Sequence, residues 1–84
     1  REREAGLLVS RAENLANSFE NAVMKRKEAL RNKQYGYRTT IIQAGQEMQH
    51  ARNKKETLLG ELPKAHLSSA QREQIEMQLK RIPN

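Results

Sequence analysis

The chain has 84 residues, a formal net charge of +6 and no cysteine, and about half of it is Ala, Glu, Lys, Leu or Arg. That length allows one small domain with a modest core, the missing thiols exclude disulfides and thiolate metal sites, and the composition is that of long helices. No apolar run approaches the roughly 18 residues of a membrane span, no signal pattern opens the chain, and Arg1 stands where a Met would start it, so the expectation is a fragment or processed chain of intracellular location.

The first predicted element is a helix from about Glu4 to Gln34. Leu8, Ala12, Leu15, Phe19, Ala22 and Val23 step by three and four and lie on one narrow stripe. Arg26, Leu30 and Lys33 continue that stripe, so its far end is charged and is expected to be wet or paired. Phe19, Tyr35 and Tyr37 are the chain's three aromatic residues. A compact globular core leans on more rings than that, so thin, elongated packing along aliphatic seams is expected.

The stretch RNKQYGYRTT at 31–40 breaks the pattern. Gly36 is expected to take the left-handed position that ends the first helix, and Thr40 with Gln43 has the spacing of a capping box for the next. The second helix then carries Ile41, Ala44, Met48, Ala51, Lys55, Leu58 and Leu62 at alternating steps of three and four, a coiled-coil seam, and ends at Gly60 and Pro63. Ser68 and Gln71 form another capping-box spacing, with Leu67 placed for a staple contact, and Ile75, Leu79 and Ile82 stripe a third helix of about 14 residues that Pro83 ends. The fold expected is all-α: a helical hairpin over residues 1–62 with its turn near 35–39, then a connector and short helix over 63–84. The alternative is a single helix of more than about 50 residues running through Gly36 and dimerising, which seam phase alone does not exclude.

Catalytic signatures are absent from the sequence. It has no Asp, its two histidines stand 16 residues apart, and neither a Gly-rich phosphate loop nor a nucleophile elbow occurs. Glu47 and His50 have the Glu-x-x-His spacing of di-iron bundles, but His50 lies about 120° from the Met48/Ala51 stripe and reads as a solvated side chain. No enzyme activity, cofactor, metal or small-molecule substrate is therefore assigned. Lys55 sits on the apolar stripe, where it either pairs with Glu20 across the seam or snorkels to solvent along its methylene stem.

Two partner classes remain. Apolar residues off the main stripes, among them Leu7, Met24, Ile42 and Leu59, exceed what one neighbouring helix covers. The first reading is a protein–protein interaction or assembly module, an adaptor, oligomerisation domain or helical chaperone. It would meet a homodimer mate or a foreign protein through Leu8, Leu15, Phe19, Ile42, Met48 and Leu59. The second is a basic helical domain that binds RNA or DNA. Lys25, Arg26, Lys27, Arg31, Lys33 and Arg38 face one anion, Glu28, within residues 25–38 and would contact phosphates. Tyr35 and Tyr37 would stack on unpaired bases. A membrane-surface helix fits less well, because the apolar face has one Phe, no Trp, and Arg26 in its path.

Overall fold

The computed structural model describes residues 2–84 as three helices: α1 (Glu2–Asn32), α2 (Tyr37–Glu61) and α3 (Ser69–Lys80). α1 and α2 pack side by side as an antiparallel hairpin, which rules out the single continuous helix. The molecule measures 48 × 20 × 17 Å. At 1.5 Å per residue α1 alone accounts for about 46 Å of that length, so the hairpin sets the shape.

The seam of α2 is the one its periodicity predicts. Ala44, Met48, Ala51, Leu58 and Leu62 are buried, and Ile41 and Lys55 are half-buried. The seam of α1 is broader than the predicted stripe. Ala5 and Ala16 join Leu8, Ala12, Phe19 and Ala22 in the core, and Leu15 and Val23 are half-buried beside them. The extra width serves a second neighbour, since α3 packs mainly on α1. Four alanines on that face let the helix axes come close. Arg26 is exposed, so the charged end of the stripe is wet, as its desolvation cost requires.

The turn differs from expectation in two respects. Lys33, not Gly36, is the left-handed residue that ends α1: its φ is 48°, and its N–H donates to the Ala29 carbonyl at 2.9 Å. Gly36, with φ 82°, instead precedes the first residue of α2, and the Tyr37 N–H closes the bend on the Gln34 carbonyl at 2.9 Å. Thr40 consequently lies a turn inside α2. Its hydroxyl donates to the Gly36 carbonyl at 3.4 Å, and the expected Thr40–Gln43 capping box does not form. The β-branched run 39–42 is accommodated within the first turns of α2, where tertiary packing outweighs a modest propensity penalty.

After α2, a 3₁₀ turn at Leu62–Lys64 reverses the chain. The Ser68 cap forms as its spacing predicts: the Gln71 N–H donates to Ser68 Oγ at 3.1 Å, and the Ser68 N–H donates to Gln71 Oε1 at 3.0 Å. Leu67 packs against the core beside it. From there α3 lays Ile75, Leu79 and Ile82, each at most 2% exposed, into the groove between the other helices.

Four polar side chains hold the far end of α3. Lys55 Nζ donates to the Ile82 carbonyl at 2.7 Å, and Arg52 Nε donates to the Pro83 carbonyl at 3.0 Å. Arg81 reaches α1, pairing with the Glu20 carboxylate (Nε to Oε2, 3.0 Å) and donating to Asn17 Oδ1 at 2.7 Å. The expected Lys55–Glu20 pair is thus replaced. Glu20 takes Arg81, and Lys55 caps the carbonyl end of α3, where a helix dipole favours a cation.

Candidate docking groove and basic tip

α3 covers only the proximal half of the hairpin, and this creates the first candidate surface. Two sets of side chains mark the sides of α1. Arg11 and Lys25 point to α2, where they meet Glu61 at 2.9 Å and Glu47 at 3.8 Å. Asn17 and Glu20 mark the side of α3 through Arg81. Ala16, Val23 and Leu30 advance one heptad per step between these markers. Ala16 is fully buried, Val23 half-buried, and Leu30 47% exposed. Exposure rises along the line because α3 ends at Lys80.

Next to Pro83 lies a groove of about 650 Å³ with Phe19, Val23, Met24 and Met48 as its apolar lining and Asn21, Arg52 and the Glu20–Arg81 pair as its polar lining. Arg52 also stacks its guanidinium over the Phe19 ring at 5.4 Å, which closes one wall. Met24 is 60% exposed and Ile42 62%. The opposite face of the hairpin is different in kind. Its shallow cleft is lined by Ser18, Asn21, Lys25, Glu47, His50 and Lys54 as well as Leu15 and Ala51, and there Glu47 meets Lys25.

The predicted partner-binding residues divide accordingly. Leu8, Phe19 and Met48 are buried in the chain's own core, and Leu15 is half-buried in the hairpin seam. They position the groove and, for Phe19 and Met48, form its floor. Ile42 and Leu59 keep exposed apolar surface, at opposite ends of α2. Glu20, Asn21, Val23, Met24, Arg52, Arg81 and Pro83 are lining residues that the partner-binding reading did not include. Met24 was marked by lying off the stripe; the two arginines and the proline were not, because their place depends on where α3 stops.

The basic tip is the second candidate surface. Arg26, Lys27, Arg31, Lys33 and Arg38 are exposed, and Lys25 reaches Glu47. Tyr35 stands wholly in solvent. Tyr37 does not: it is half-buried, Arg38 lies over its ring at 5.8 Å, and Arg38 Nε donates to its hydroxyl at 3.4 Å. The two rings are therefore not a matched stacking pair.

Electrostatics single out the Glu20–Arg81 pair at the groove. The hydrogen bonds from Arg81 hold the Glu20 carboxyl below its ordinary value of 4.5.

The chain matches no protein family, no curated protein and no solved structure. Its functional reading rests on the two surfaces themselves.

Proposed function

We propose that the chain is a non-catalytic helical interaction module, and that its working surface is the groove left open between α1 and α2 beyond Pro83. The observation that carries this reading is the half-filled groove. α3 shows what such a groove takes in its proximal half, an amphipathic helix with apolar residues at steps of three and four, and the distal half keeps Val23, Met24 and Met48 along the same channel. Burial of apolar surface at about 25 cal/mol per Å² is the driving force available to a helix seated there.

Titration of the protein with short amphipathic helical peptides, followed by backbone NMR shifts, tests the reading. Shifts should cluster at Val23, Met24 and Met48. Met24→Glu and Ile42→Glu should each weaken binding about tenfold, while Leu7→Glu, at the other end of the hairpin and also exposed, should leave it unchanged. Binding that ignores Met24→Glu would place the interface elsewhere.

A basic nucleic-acid-binding domain is the second reading. The fully exposed Tyr35 among Arg31, Lys33 and Arg38 favours it. It expects single-stranded RNA to bind with steep salt dependence, lost when those three cations are neutralised.

A further inference from the structure

The rims of the groove change sign along its length, and the helix already seated in it matches the half it occupies. On α1, Glu13, Glu20 and Lys27 follow one another at heptad spacing and so share one edge. Where that edge is acidic, α3 presents Arg81, whose guanidinium is pushed up by its bond to Glu20 and by the nearby charges of Glu20 and Glu13. One heptad beyond Glu20 the edge becomes Lys27, with Arg31 a turn further on. On α2, Arg52, Gly45 and Arg38 follow one another toward the tip at the same spacing. Arg52 holds the end of α3, and Arg38, whose guanidinium lies over the Tyr37 ring, is exposed one heptad beyond Gly45 on the same edge. Glu47, an anion at this level, points to the other face and meets Lys25. Beyond the Glu20–Arg81 pair that lines its near end, the open half of the groove thus heads toward Lys27 on the α1 edge and Arg38 on the α2 edge.

We propose that this half of the groove seats an acidic amphipathic helix from a partner protein, about three turns long, with its apolar stripe on Val23, Met24 and Met48 and its carboxylates toward Lys27 and Arg38. The proposal rests on the groove being the working surface and adds the chemistry of its occupant. The length follows from the span between Phe19 and Leu30, about 17 Å at 1.5 Å per residue. Charge disfavours a second copy of this chain joined groove to groove, since that contact would bring together the Lys27 and Arg38 edges of both copies with no added anion to offset them. The chain's own stripe of Ile75, Leu79 and Ile82 is already buried and is not free to cross over.

The test uses two fluorescently labelled synthetic peptides of about 14 residues with the same leucine stripe, one flanked by Glu and one by Lys, together with a single-stranded RNA of similar charge. Anisotropy should show the Glu-flanked peptide binding at least tenfold more tightly than the Lys-flanked one. The double variant Lys27→Glu/Arg38→Glu should reverse that order. Both positions are exposed, so the variant is expected to keep the helical circular-dichroism spectrum of the parent, which is to be checked first. Equal binding of the two peptides, abolished by Met24→Glu, overturns the acidic occupant and leaves the groove as the interaction site. If neither peptide binds, both the occupant and the groove reading fail. RNA binding that displaces the Glu-flanked peptide, or concentration-dependent dimerisation lost in Met24→Glu, assigns the surface to nucleic acid or to a second copy and overturns the proposal.

Discussion

Lys33 holds a backbone conformation that its side chain resists. Its φ of 48° is left-handed, where a residue with a Cβ is disfavoured by about 1 kcal/mol relative to glycine. The position is exposed, so no packing is lost on substitution. Lys33→Gly is expected to raise stability by about 0.5–1 kcal/mol, read as a shift in the urea midpoint without a change in slope. Three residues on, Gly36→Ala should act in the opposite direction and by a similar amount. The φ there is 82°, and a new methyl would meet nothing within 4 Å, so backbone strain is the only effect. If the two changes shift the midpoint in the same direction, the turn is not built on two left-handed residues. The pair also shows what the sequence conceals at this scale. A glycine advertises a positive φ, whereas a lysine that adopts one to end a helix leaves no mark in composition or spacing.

At the scale of elements, α3 has 12 residues and is marginal as an isolated helix, so its docking determines whether it forms. Ile75 is wholly buried, and Ile75→Ala should cost about 2–4 kcal/mol, measured by denaturation, with amide exchange in α3 accelerating first. Glu20 makes that docking sensitive to acid. Its folded pKa lies below the ordinary 4.5 because Arg81 donates to it, so the folded state binds fewer protons than the unfolded one around that pH. The contribution is complete above 4.5 and is lost as pH falls through the lower folded value. Exposure of the pair keeps the effect small. Glu20→Gln should flatten the pH dependence of α3 amide exchange below 4.5 and leave it unchanged near neutrality; an unaltered acid response would remove Glu20 from the latch. The helices themselves were legible because apolar spacing and the Ser68–Gln71 cap are local properties. The burial of Ala5 and Ala16, the Arg81–Glu20 pair and the Lys55 cap were not, because each is a tertiary contact, the last two across 61 and 27 residues of sequence, that periodicity does not encode.

The whole molecule is a rod with three helices at one end and two at the other, and this asymmetry links stability to the proposed binding surface. Every one of the core residues contributed by α3 sits over the proximal half, so the tip around Gln34 is expected to exchange its amides fastest among the hairpin residues, and Ala12, Ala16 and Leu58 slowest. Gly45 falls within the weaker half. It lies mid-helix in α2, half-buried, on the edge that runs from Arg52 to Arg38, and no atom of the chain approaches where its Cβ would be. Glycine in a helix interior is about 0.5–1 kcal/mol worse than alanine, so stability alone does not explain it. Under the proposed binding, the missing side chain at Gly45 would let a seated helix approach α2 closely. Gly45→Ala should therefore raise the urea midpoint by the equivalent of about 0.5–1 kcal/mol and, in the same protein, weaken the Glu-flanked peptide severalfold. Stabilisation with unchanged peptide affinity would mean that the occupant does not pass over Gly45. The line of approach would then shift to Val23 and Met24 on α1, where Met24→Glu retains its full effect.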